Sequence, residues 1–177
     1  EGTTLLLAAN VTLYVSNVPA VQSPFGNQID IRANNCAIIG SGPSSLIQCT
    51  DGTQANAVGV VHKSKFLMRD LTIDGDKDNV IAIIDDSFES GISLLCDSGG
   101  GATSDMEAVI DNVTVRNFMQ YGFNIYGNQA NGIKIVNCNI RAMGVNSDAL
   151  SVGAGIVSTR SVTDLHIVNN TIKDNKQ

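Results

Sequence analysis

The chain reads as all-β, built from stacked strands, and three observations lead to that class. An Asn or Asp recurs five times, at Asn35, Asp70, Asn112, Asn137 and Asn169, each three residues before a β-branched residue and each after an alternating apolar run. Upstream of four of these corners lies a small residue followed by apolar, variable and apolar positions. Aromatics make up only 5% of the 177 residues and Trp is absent, while Gly, Asn, Val and Ile are abundant. That mix suits strands of β-branched residues with tight corners better than a helical bundle. No stretch sustains a helical period with caps at both ends, and 177 residues suffice for one domain, expected over 1–177.

The corner segments run 29–38, 66–73, 109–115, 133–140 and 165–172, and their polar residues are 35, 42, 25 and 32 positions apart. A constant core with connections of varying length is the pattern of a solenoid carrying insertions. Asn suits such a corner because its short amide tolerates the left-handed backbone of a sharp bend and hydrogen-bonds nearby backbone. Stacked amides are expected to bond one another inside the apolar stack, where an unpaired one would cost about 1–3 kcal/mol. Five unrelated hairpins are the alternative, but hairpin turns favour Asn-Gly or Asp-Gly. None of the five corners is followed by Gly.

The second set of segments is Ala57-Val-Gly-Val, Gly91-Ile-Ser-Leu, Gly122-Phe-Asn-Ile and Gly155-Ile-Val-Ser. Alternation places Val58, Ile92, Phe123 and Ile156 in one inward column and Val60, Leu94, Ile125 and Ser158 in another. The outward columns are then Gly59, Ser93, Asn124 and Val157, followed by Val61, Leu95, Tyr126 and Thr159. Each turn of the stack is expected to read strand, turn, strand, polar corner, strand, return loop.

Cys36 and Cys138 each follow a corner Asn, so this register puts them in one column three layers apart. At about 4.8 Å per layer that is roughly 14 Å, beyond the ~7 Å limit for a disulfide. A Cys49 to Cys96 bridge stays open, and cysteine usage does not settle the redox compartment.

With 11 basic and 17 acidic residues the formal charge is −6, and no Lys or Arg cluster marks a phosphate-binding surface. Nucleic acid is therefore not an expected partner. An acidic polysaccharide would be repelled overall unless a local basic groove or a bound cation offset the charge. No apolar run is long enough to span a bilayer, so no membrane partner is expected.

The Asn169-Asn-Thr-Ile and Asp111-Asn-Val-Thr-Val corners and the Gly-apolar-x-apolar strands resemble the right-handed, single-stranded parallel β-helix of the pectate lyase-like superfamily. The opening Gly2-Thr-Thr-Leu-Leu-Leu-Ala-Ala-Asn-Val-Thr-Leu-Tyr14 is similar to the first strands of polygalacturonases and tailspikes. Gly40-Ser-Gly42 before Ser45-Leu-Ile-Gln, and Leu71-Thr-Ile-Asp-Gly75, look most like bacteriophage tailspikes. The resemblance implies about five coils, polysaccharide as partner, a homotrimer as the assembly, and an extracellular or virion-surface setting. With no cap at either end, the chain is expected to be a portion of a longer protein or to need partner chains over its edges.

In the resembling enzymes the substrate groove follows the outward columns, yet none of these positions is a carboxylate. The polygalacturonase elements do not match in place, so no catalytic residues are carried over from that family. The flanking loops are richer: Asp86 and Glu89 facing Asp97 supply the carboxylate pair that glycoside hydrolysis needs. Arg160 or His62 supplies the base a lyase needs. Charged loop residues are more often merely solvated. Asn124 with Tyr121, Tyr126 and His62 forms the expected carbohydrate-binding set, because aromatic faces and amides hold sugars in shallow grooves. Asp74, Asp76, Asp78 and Asp85 fall at calcium-loop spacing, and calcium is the cofactor such a set of carboxylates would hold. Asn79 replaces the usual Gly and the following positions are apolar, which favours an ordinary polar loop.

Two functions follow. One is a tailspike-like glycan depolymerase, hydrolase or lyase. The other is a noncatalytic glycan-binding or structural fibre or adhesin segment. A sugar epimerase of the same superfamily is a weaker third reading, because no Asp-Pro-His-like element occurs.

Overall fold

The computed structural model describes residues 2–15, 27–50, 56–61, 65–76, 90–95, 106–127, 130–144, 153–159 and 162–175. These residues are all-β, with no helix among them. Strands β3 (Asn27–Ile31), β6 (Asn56–Val61), β8 (Ser90–Leu95), β10 (Tyr121–Tyr126) and β13 (Ala154–Thr159) stack in that order as one sheet. A second series stacks β1 (Thr4–Leu7), β4 (Ala37–Gly40), β7 (Phe66–Asp74), β9 (Met106–Arg116), β11 (Ala130–Val136) and β14 (Val162–Val168). Past the corner, β2 (Thr12–Val15), β5 (Leu46–Cys49), β12 (Asn139–Arg141) and β15 (Thr171–Lys173) stack beside the far halves of β7 and β9. Every pairing is parallel. The arrangement is consistent with a β-helix, in which each strand hydrogen-bonds to its counterparts one repeat away.

The expected columns of the first sheet are present. Val58 pairs Ile92, Ile92 pairs Phe123 and Phe123 pairs Ile156, while Val60, Leu94, Ile125 and Ser158 align beside them. Facing them across the core are Ile38, Met68, Ile110 and Ile135, with Ile47, Ile73, Val115 and Ile140 past the corner, each at most 1% exposed. The small residues that open these strands have a packing reason. A Cβ on Gly122 would lie 2.5 Å from Ile140 Cγ2, and one on Gly155 2.5 Å from Ile172 Cγ2. The core is narrow where the first sheet meets the strands past the corner, and from β6 to β13 the column holds only Ala57 and Gly, while in β3 Gln28 takes the place, its Oε1 3.2 Å from Cys49 Sγ.

All five predicted corner residues have the left-handed backbone that Asn and Asp tolerate, with φ between 54° and 58°. Four of them share one column: Arg69 pairs Asp111, and Val136 pairs both Asp111 and Val168, so Asp70, Asn112, Asn137 and Asn169 stack. Asn35 does not belong to it. Ala37 pairs Leu67, which sets Asn35 level with Lys65, at the bend before the strand. In that layer the corner is widened: residues 40–45 stand between Ile39 and Leu46 where only 70–71 stand between Arg69 and Thr72. The segment from Ile29 is accordingly not a corner strand, since Ile29 pairs Val58 in the first sheet.

Two expectations change with this register. Cys36 and Cys138 lie on opposite sides of the corner, not in one column; both are free and buried. Burial pushes the Cys138 thiol up to about 11, and its Sγ lies 3.2 Å from the Val136 carbonyl, so it serves as a small neutral core group. Cys96 lies outside the described residues. The second change concerns the amides: Asn112, Asn137 and Asn169 are exposed. Asn112 donates to Asp70 at 2.8 Å, whereas Asn137 donates to Asp111 at 2.8 Å, so the ladder is a surface feature. Its stabilising effect is mainly conformational. Asn137→Ala is expected to destabilise the fold by about 1–2 kcal/mol in urea denaturation, and Asn137→Gly by clearly less. Equal losses in the two variants would refute the conformational account.

The buried amide ladder stands elsewhere, at the start of the first sheet. Asn56 Nδ2 donates to Asn27 Oδ1 at 3.0 Å, and the Ser90 backbone N–H donates to Asn56 Oδ1 at 3.1 Å. The sequence signal is Asn-x-apolar-x-apolar in two layers, with Ser90 continuing the column.

Candidate functional site

The outward face of the first sheet carries Gly59, Ser93, Asn124 and Val157 in the expected register. It is not open along its length: Ser93 is 1% exposed and Asn124 2%. A Cβ on Gly59 would collide with the Asn27 side chain, so that amide closes the column at one end. Asn124, expected to hold sugar, is thus buried among its neighbours. Tyr126 lies on the same outward alternation and is partly exposed, and Tyr121, also partly exposed, pairs Ser90 at the strand's start.

Asp86, Glu89, Asp97, Arg160, His62, Asp78 and Asp85 lie outside the described residues. Asp74 and Asp76 are described, and Asp74 does not fit a cation ligand. Its Oδ2 accepts from Arg116 Nε at 2.7 Å, and its Oδ1 accepts from Asn117 Nδ2 at 3.0 Å and from the Asp76 backbone N–H at 3.1 Å. Both carboxylate oxygens are engaged, and a cation there would have to displace an arginine. No cluster of three metal-ligating side chains occurs among the described residues.

The structure opens a site past the corner instead. Alternation on these strands turns Leu13, Ile47, Ile73, Val115 and Ile140 inward. It turns two columns outward. The first is Thr12, Leu46, Thr72, Thr114, Asn139 and Thr171; the second is Tyr14, Gln48, Asp74, Arg116, Arg141 and Lys173. A cleft of about 430 Å³ lies over them, floored by Leu46 and Thr72 and bordered by Asn10 and Pro43. Arg116 and Arg141 line its other end. Thr72 Oγ1 is committed as a donor to the Pro43 carbonyl at 2.9 Å, which ties the widened corner to the floor. The signal for this face was in the sequence: a Thr or Asn stands two residues past Asp70, Asn112, Asn137 and Asn169, and a charged residue four past each.

Comparison with known proteins gives three similar relatives, all from Azotobacter vinelandii. Mannuronan C5-epimerase AlgE4 is 34% identical over 85 residues, 45% of this chain and 14% of that protein. Mannuronan C5-epimerase AlgE1 is 32% identical over 97 residues, 51% of this chain and 6% of that protein. Mannuronan C5-epimerase AlgE3 is 30% identical over 109 residues, 58% of this chain and 6% of that protein. The chain thus spans a small fraction of the length of the curated relatives it matches. No family model matches the chain, and no solved structure matches it.

Proposed function

We propose that this chain acts on polysaccharide as a right-handed parallel β-helix of about five coils, with a uronate polymer as the substrate class. The observation that carries the reading is the similarity, over about half of the chain, to enzymes named for mannuronan. The parallel stack supports it, because equivalent side chains repeat at every layer, about 4.8 Å apart, and a glycan is itself a repeating chain. The right-handed winding follows the strong preference of parallel crossovers for that hand.

For a uronate polymer, removal of the C5 proton beside the carboxyl group gives a stabilised carbanion. Returning a proton from the other face inverts C5; expelling the C4 oxygen breaks the chain by elimination. Either course needs a base, an acid and neutralisation of the carboxylate. His62, Arg160, Asp86, Glu89 and Asp97 are the groups proposed for this chemistry, with Tyr126 against the sugar. A hydrolase of the tailspike kind would use the loop carboxylates alone.

The second reading is a noncatalytic glycan-binding fibre or adhesin. One observation favours it: among the described residues, no carboxylate stands on the outward columns of the first sheet from β6 to β13. A panel of mannuronan, pectins and bacterial capsules separates the two. The chain is expected to produce reducing ends, unsaturated uronate or C5 inversion, read by reducing-sugar assay, absorbance and proton NMR. Binding with none of these favours the adhesin, and absence of binding across the panel sinks both.

A further inference from the structure

The two arginines past the corner stand in adjacent strands of one column, with Arg116 paired to Arg141 and Arg141 to Lys173. Like charges at neighbouring positions, about 4.8 Å apart by strand spacing, repel unless something negative lies against them. Within the column only Asp74 does so, and Arg116 reaches it through Nε. The Arg141 guanidinium has no ion pair or hydrogen bond among the described residues. Three cations thus face one carboxylate in a chain whose formal charge is −6. The remainder of the cleft has a different character: Pro43 and Leu46 are apolar, and the Thr12 and Thr114 hydroxyls lie alongside. It crosses β2, β5, β7, β9 and β12, which at strand spacing is about 19 Å, an elongated shape.

We propose that this cleft is a glycan-binding site separate from the first-sheet face, taking an oligosaccharide segment that carries uronate carboxylates, with Arg141 as the principal carboxylate contact. The inference deepens the polysaccharide reading and rests on it. Apolar patches suit the faces of sugar rings, hydroxyls suit sugar hydroxyls, and a guanidinium with free donors suits a planar carboxylate. It also eases the charge conflict of an acidic chain handling an acidic polymer, since two arginines line the cleft and Lys173 continues their column. The two faces point apart. Val115 and Ile140, behind the cleft strands, are the side chains that a Cβ on Gly91 or Gly122 would strike, so the first sheet lies across the core from the cleft.

Backbone amide NMR of the full chain, titrated with an oligomannuronate and with its carboxyl-reduced neutral counterpart, tests the assignment. The acidic oligomer is expected to shift the Thr114, Arg116 and Arg141 amides, and the neutral one to bind at least several-fold more weakly. Arg141→Gln should weaken binding at the cleft about tenfold and Arg141→Glu further, with the spectrum otherwise folded. Lys134→Gln, which removes an exposed cation of β11 outside the cleft, should leave cleft binding unchanged. Shifts confined to the first-sheet face would overturn the cleft and leave the polysaccharide reading standing. Equal binding of the neutral oligomer overturns the carboxylate assignment. Absence of binding by either oligomer anywhere on the chain overturns both. A change in mass with Arg141→Glu, without change in glycan binding, makes the face a contact between copies and also overturns the proposal.

Discussion

Phe123→Ala should unfold a large share of the molecules under mild denaturant, at a cost of about 3–5 kcal/mol. Phe123 is fully buried, is among the largest buried side chains, and stands in the inward column between Ile92 and Ile156. Deleting its ring leaves a cavity that neighbouring layers cannot close without shifting their own register, because each strand is hydrogen-bonded above and below. Against a typical total of about 5–15 kcal/mol, the loss is a large fraction. Phe123→Leu keeps most of the volume and should cost less than about 1.5 kcal/mol. Tyr14→Ala, 69% exposed, is the control and should change little. Urea denaturation followed by circular dichroism reads all three, and a Phe123→Ala loss below about 1 kcal/mol would refute the inward register.

Gly122→Val is the second large effect, and it acts by overfilling. A Cβ at Gly122 meets Ile140 Cγ2 at 2.5 Å and the Gly155 carbonyl oxygen at 2.6 Å. Ile140 is a side chain and can turn aside. The Gly155 carbonyl belongs to the strand stacked next to Gly122, and moving it disturbs the β10 to β13 pairing. A loss of about 3 kcal/mol, at the upper end for overpacking, is expected, with the excess from the displaced backbone. In the Gly122→Ala background, Ile140→Ala should cost less than it does alone, since it removes one of the two clashes. Strict additivity would place Ile140 away from Gly122 and contradict the narrow core.

The local code and the stacking met at different resolutions. The Asn and Asp corners were legible because a left-handed bend needs those residues whatever surrounds it, and Asn35 satisfies that rule as fully as Asn112 does. What it could not disclose was which bend it occupied. Asn35 and Asp70 look alike along the chain, and only the pairing of Ala37 with Leu67 separates their columns. The Cys36 and Cys138 alignment failed for the same reason. The first-sheet columns from β6 to β13 were legible, because alternation at a fixed offset from a small residue survives any length of connecting loop, whereas β3, which has Gln28 in place of the small residue, was read as part of a corner.

The candidate site was less legible. Asn124 was read correctly as outward, but outward and exposed are different properties, and burial depends on what packs from elsewhere. Asp74 looked like a cation ligand beside its acidic neighbours, yet its partner, Arg116, is 42 residues away and one layer over. Arg141 attracted no notice as a lone arginine in the sequence. It became part of a site only when stacking set it beside Arg116 above the Leu46 and Thr72 floor.

By itself, then, the amino-acid sequence determined the repeating unit: strands of β-branched residues, left-handed polar corners, small residues at the narrow section and the inward alternation. These depend on the conformational preferences of single residues and on period-two geometry, both local. Tertiary structure alone decided which layers align, which outward positions stay accessible, and where the positive charge gathers. Those depend on residues 26 to 42 positions apart along the chain that lie one strand spacing apart in the stack.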